Sequence, residues 1–142
     1  MRNENRARPD GIEVAEPLEL VRIFADADGA SHFADDSLPF ELIDFAPPAP
    51  PVSVSTVMEA ESVFIASSPP GWFGDWHPAP HRQMMFVLDG RLEVEVADGE
   101  VRVFGPGDVA LVEDTAGQGH VTRVIGDRRA YLATVPLREG DQ

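Results

Sequence analysis

The stretch from Gly74 to Gly90, Gly-Asp-Trp-His-Pro-Ala-Pro-His-Arg-Gln-Met-Met-Phe-Val-Leu-Asp-Gly, holds two of the chain's four histidines and one of its two tryptophans. Imidazole titrates near neutral pH and can supply a proton, a lone pair or a metal bond, so His77 and His81 are the first candidates for chemistry. A third, His120, follows much later, behind the Gly105-Pro106-Gly107-Asp108 turn. Strand alternation sets which of them can meet. Counting back from Gln83, residues 81, 79 and 77 share its face, while Trp76, Pro78, Pro80 and Arg82 take the other. Pro78 and Pro80 qualify the count, because neither donates to a ladder and both favour a bulge or an edge. Histidines turned into an apolar sheet are costly unless hydrogen-bonded, metal-bound or facing a wet pocket.

The neighbouring residues allow two readings each. Trp72, Phe73 and Trp76 suit either plain core or an aromatic wall at a barrel mouth, where apolar ligands sit. Glu113 and Asp114 read as solvated loop residues, with the alternative that one carboxylate orients the His120 ring. His32 has no partner nearby in sequence and is expected at the surface. Arg82 and Arg123 fall on outward parities, where pairing with acids such as Glu95 contributes little.

The elements that must position these side chains are strands. Alternation from Leu18 runs into a turn at Ala27-Asp28-Gly29-Ala30, and Pro39 to Phe45 supplies a short apolar piece. Ala46 to Pro51 holds four prolines and is expected to be an extended surface connector. Val52 to Ser55 alternates, and Ser62 to Ala66 reads as a buried strand. Asp89-Gly90 and Asp98-Gly99 are two-residue hairpin signals. Their pairing would place Gln83, Met85, Val87, Leu92, Val94, Val96, Val101 and Val103 on one interior face. Further strands are expected at Val109–Val112, His120–Ile125 and Arg129–Val135. Met84, Phe86 and Leu88 make the opposite face too apolar for open solvent, which points to cover by N-terminal strands and by a second subunit, hence a homodimer. No stretch supports a helix of three turns. The division expected is a flexible N-terminal tail over 1–17, one barrel domain over 18–137 with a Pro-rich connector at 46–51, and a C-terminal tail over 138–142.

Composition bounds the function. A chain of 142 residues with 43% hydrophobic and 25% charged residues suits one folded domain. Its formal net charge of -14 repels phosphate backbones, so nucleic acid is not an expected partner. The absence of cysteine excludes disulfides, thiolate nucleophiles and sulfur-bound zinc, and fits a cytoplasmic location. No apolar run is long enough to span a membrane, and Met1 to Asp10 has no signal-like apolar core.

These residues resemble the two motifs of the small single-domain cupins. In the first motif His77 falls at the leading histidine, Ala79 at the second, Gln83 at the glutamate and Gly90 at the closing glycine. In the second, Pro106-Gly107-Asp108 and His120 match, with a longer loop between them. The resemblance implies an all-β cupin-type double-stranded β-helix, a jelly-roll barrel. It also implies a metal held by three histidines and a glutamate, a set that Ala79 and Gln83 deplete to His77, Gln83 and His120. The cofactor expected is therefore none, or a weakly bound divalent nickel, zinc or iron ion. Three functions follow. The first is non-redox isomerase, dehydratase or cyclase chemistry on a mostly apolar small molecule. There His77, His120 and Gln83 are catalytic, and Trp72, Trp76, His81, Met85 and Val87 contact the ligand. The second is a metal-dependent oxygenase or isomerase. The third is a non-catalytic ligand-binding or sensing barrel.

Overall fold

A computed structural model describes residues 11–139. The expected tails over 1–17 and 138–142 lie partly outside these residues. Every element is a strand: β1 Leu18–Ala25, β2 Ser31–Leu38, β3 Phe40–Ile43, β4 Val52–Ser55, β5 Phe64–Ser68, β6 Phe73–His77, β7 Gln83–Asp89, β8 Arg91–Glu95, β9 Val101–Phe104, β10 Val109–Val112, β11 His120–Ile125 and β12 Ala130–Pro136. No helix among the described residues is long and apolar enough to cross a membrane. The strands form a six-stranded sheet in the order β2-β1-β10-β7-β12-β5, a four-stranded sheet in the order β6-β11-β8-β9, and a β3-β4 ribbon. The described residues divide into two compact units, one of residues up to 19 together with 37–57 and the other of 20–36 together with those from 58.

In the smaller unit the ribbon pairs Phe40 with Ser55 and Ile43 with Val52. The proline-rich segment between them turns back on itself, with the Ala49 N–H donating to the Ala46 carbonyl at 2.9 Å. It is not the extended connector expected, because proline's fixed φ suits a turn as well as an extended run, and the paired strands on either side demand reversal.

In the larger unit the two sheets share one core, in which Ile23, Val87, Ala110, Val112 and Leu132 meet Leu92, Val94, Val96, Phe104 and Val124. Alternation puts Gln83, Val87, Leu92, Val94 and Val96 inside, with Met85 partly buried. The route differs from the one expected. Asp89-Gly90 closes no hairpin: β7 pairs with β10 and β12, and β8 with β9 and β11. Gly90, at φ 78°, instead turns the chain from one sheet into the other. A Cβ there would lie 2.7 Å from the Ala130 Cα and the Arg129 carbonyl oxygen, so only glycine fits the corner.

Asp98-Gly99 does close a hairpin, but with three loop residues. Gly99 N–H donates to the Val96 carbonyl at 3.0 Å, Val96 N–H to the Glu100 carbonyl at 3.1 Å, and Gly99 sits at φ 95°. The extra left-handed residue slips the register by one, pairing Glu95 with Val101 and Val94 with Arg102. Val101 and Val103 therefore face outward, 46% and 45% exposed, and Phe104 takes the interior position. Ser62 to Ala66 also differs. Its strand β5 is the last of its sheet, so Val63, Phe64 and Ile65 are exposed rather than buried.

Candidate functional site

β6 stops at His77, where Pro78 removes the next ladder donor, and β7 begins at Gln83 in the other sheet. His77 and Gln83 are thus not two points on one strand, as unbroken alternation implied. What aligns His77 with His120 is the antiparallel pairing of β6 and β11, in which the two are direct partners. A bulge between His120 and Thr122 follows, and the rings lie 4.9 Å apart at 53°. Gly119 makes this approach possible: it sits at φ 78°, and a Cβ there would collide with the His77 carbonyl and the Pro78 nitrogen.

Each ring is anchored through Nδ1. His77 Nδ1 donates to the Asp75 carbonyl oxygen at 2.6 Å, and His120 Nδ1 donates to Asp114 Oδ2 at 2.6 Å. Since both acceptors lack protons to give, each neutral ring carries its hydrogen on Nδ1 and leaves Nε2 bare. Asp114 is the residue that sequence reasoning left between two roles. It is 0% exposed, its Oδ1 has no hydrogen-bond partner among the described residues, and its backbone carbonyl accepts the Ala79 N–H at 2.9 Å. A carboxyl group held dry with one oxygen unserved is costly, so the His120 bond is the main compensation the site provides. Its neighbour Glu113 points the other way and binds both Arg22 and Arg82 at 2.8 Å. The signal that could have separated the two is the alternation carried beyond β10, which sends Val112 and Asp114 inward and Glu113 outward. Arg123 finds Glu93 at 3.7 Å rather than Glu95.

A cavity of about 70 Å3 lies between the sheets. Met85, Val87, Val94, Phe104 and Leu132 form its apolar wall, and His120 and Thr122 its polar groups. His77 is exposed and stands beside His120 on the solvent side. Gln83 is buried on β7, its Nε2 3.9 Å from Met85 Sδ. Trp72, Trp76 and His81 are exposed, and Trp72 lies over Gly74, whose added Cβ would come 2.5 Å from its ring. Of the residues singled out from sequence, the fold therefore brings together His77 and His120, and sets Met85 and Val87 on the same cavity as His120. A wider groove of about 830 Å3 in the smaller unit is lined by Phe40, Ile43, Phe45 and Val57, with Glu16 and Glu41 as its charged groups.

The metal implied by the resemblance finds a poor donor set. Among the described residues no group of three or more histidine, cysteine, aspartate or glutamate side chains could hold a metal ion. Ala79, where a second histidine is expected, is 3% exposed and part of the core, so that position is filled by packing. Two imidazoles and a neutral amide neither complete a coordination shell nor balance a divalent charge. The residues do not fit a resident catalytic metal.

Residues 64–141 match the cupin domain family. No curated protein matches the chain. Among solved structures, the chain is similar to the DMSP lyase DddQ from Ruegeria pomeroyi, at 21% identity over 72% of this chain and 49% of that one, with a TM-score of 0.48. The chain thus spans about half the length of that lyase. It is also similar to the Cnp3 cupin domain of Schizosaccharomyces pombe, at 17% identity over 85% and 88% of the two chains, TM-score 0.46. A cupin superfamily protein of Desulfitobacterium hafniense shares 16% identity over 97% of each chain, TM-score 0.45.

Proposed function

Because the chain belongs to the cupin domain family, we propose that its barrel takes a short apolar group of a small organic molecule and moves a proton on the polar part of that molecule. The observation that carries this reading is the Asp114–His120 pair at the polar end of an apolar cavity. A cavity of about 150 Å3 lined by apolar side chains holds benzene. About 70 Å3 thus suits a group of two or three carbons, with the remainder of the ligand outside beside His77. His120 Nε2 acts as general base, since Asp114 keeps the ring proton on Nδ1; His77, once protonated, returns a proton as general acid. No step uses a metal or a redox partner, in keeping with the donor set.

The test follows the proton itself. Small ketones and short-chain carboxylic acids incubated with the protein in D2O should gain deuterium at the carbon next to the carbonyl. The His77→Asn, His120→Asn double variant should slow this by about 10²-fold or more while remaining folded. Exchange that is unchanged in that variant overturns the acid–base reading, and binding with no exchange in the wild type replaces it with a ligand-binding barrel. Elemental analysis of untagged protein should find less than about a tenth of a metal ion per chain, and a stoichiometric metal sinks the metal-free reading.

The partner we infer is a second copy. On the outer face of the six-stranded sheet, Phe86, Ala133 and Ile65 form one cross-strand row, with Leu88 and Tyr131 exposed beside it. This uncharged strip is where two chains of strong negative charge can approach. Sedimentation equilibrium should give a dimer mass, and Ile65→Lys with Leu88→Lys should reduce it to a monomer. A monomeric wild type at micromolar concentration removes the inference.

A further inference from the structure

His32, expected at the surface without a partner, is held between two carboxylates. Its Nε2 lies 2.7 Å from Asp26 Oδ2 and its Nδ1 2.8 Å from Asp98 Oδ2. Carboxylates only accept, so both contacts form together only when the ring carries both protons. Asp26 belongs to the β1–β2 turn and Asp98 to the β8–β9 turn, so one imidazolium ties two turns together. The residue before it grips a third segment. Ser31, 0% exposed, donates its hydroxyl to the Gly119 carbonyl at 2.7 Å and accepts the Ala97 N–H at 2.8 Å. Gln118 N–H reaches the Gly29 carbonyl at 3.3 Å, and Gly117 packs so closely on Gly29 that a Cβ would collide with it. Gly119 is followed directly by His120.

We propose that Ser31 and His32, adjacent on β2, form a proton-dependent strut that sets the position of the Gly117–Gly119 loop and, through it, of His120. This rests on the strut's own geometry and holds whether or not His120 moves a proton on a ligand. Asp26 also accepts the Asp28 and Ala30 backbone N–H groups, and Asp98 accepts that of Glu100. From β1 comes the Phe24 ring, 5.6 Å away, with the Arg22 guanidinium 5.0 Å from that ring and engaged by Glu113. The Glu100 carboxylate and Asp35 are both held by Arg102.

The direction of the effect follows from the partners. The hydrogen bond to Asp26, then that to Asp98, raises the His32 pKa above its ordinary value, and the same contacts help lower those of Asp26 and Asp98. A raised folded value means that the strut is fully present below about pH 6.5, the free imidazole value, and is lost as pH rises through the folded value. The lowered carboxylates contribute above about pH 4 and are lost in acid, so the strut holds from about pH 4 up to the raised His32 value.

Amide hydrogen exchange on the intact protein reads this directly. After correction for intrinsic chemistry, protection of the Gln118 and Ala97 amides should fall about three- to fivefold as pH crosses the His32 titration followed by ring proton NMR. In His32→Gln that pH step should vanish. In Ser31→Ala both amides should exchange faster at every pH while the step remains. Wild-type protection that ignores the ionisation of His32, or a step that survives in His32→Gln, overturns the proposal. Should His32→Gln fail to fold, Asp98→Asn tests the same link, because removing one carboxylate should shrink the step.

Discussion

Changing Asp114 to asparagine is expected to cut His120-dependent proton exchange by about 10²- to 10⁴-fold, the upper figure being the loss known for such a change in a buried carboxylate–imidazole pair. The cause is tautomeric. Asp114 accepts from Nδ1, so the proton of a neutral His120 ring sits there and Nε2 is bare, on a residue that lines the cavity. An asparagine can turn its NH2 to that nitrogen, which sends the ring proton to Nε2 and removes the base. The expected signature is specific to positioning: the low-field Nδ1 proton resonance of His120 disappears while the fold survives. Asp114→Ala should behave differently, leaving the Nδ1–H buried without an acceptor and opening a small void, at a cost of about 3 kcal/mol in a denaturant titration. If Asp114→Asn leaves both exchange and the ring resonance as in the wild type, Asp114 does not orient His120.

The second large effect is at Gly119. An alanine there places its Cβ inside the His77 carbonyl group and the Pro78 nitrogen, and backbone cannot move aside as a flexible side chain can. The left-handed φ of 78° costs an alanine about 1–2 kcal/mol and the collision about 1–3 more, so Gly119→Ala should lose about 2–5 kcal/mol. Whatever population folds must part β6 from β11 at this point. The nuclear Overhauser contact between the His77 and His120 rings should therefore weaken. Gly99→Ala is the matching control: it too has positive φ, but nothing lies within 4 Å of its Cβ, so it should show the strain cost alone. Equal losses at the two positions, with the ring contact intact, would contradict the close approach at Gly119.

Much of this site could be read from the chain. The resemblance to the cupin motifs put His77 with His120, and alternation put Met85 and Val87 on the inward face. Alternation is local, because a strand's period of two acts within a few residues. Val109–Val112 and His120–Ile125 were expected as strands and form with those bounds for the same reason. For Asp114, alternation beyond β10 gives an inward parity but not the burial, which depends on the segment passing beneath the Ala79 backbone. His32 escaped the local pattern, since its two carboxylates lie on separate turns.

By itself, then, the sequence determined an all-β chain, the inward face of β7 and β8, and a cupin barrel with a depleted ligand set. Only the tertiary structure decided that Asp89-Gly90 is a corner between sheets, that Asp98-Gly99 carries a three-residue loop, and that Val101 and Val103 face out. The physical reason is common to all three. Alternation states which side chains share a face but not which strand accepts the hydrogen bonds, and one added residue in a turn reverses every side chain beyond it. That choice belongs to distant backbone, and in this protein it also brought Asp114 to His120 and His32 between two turns.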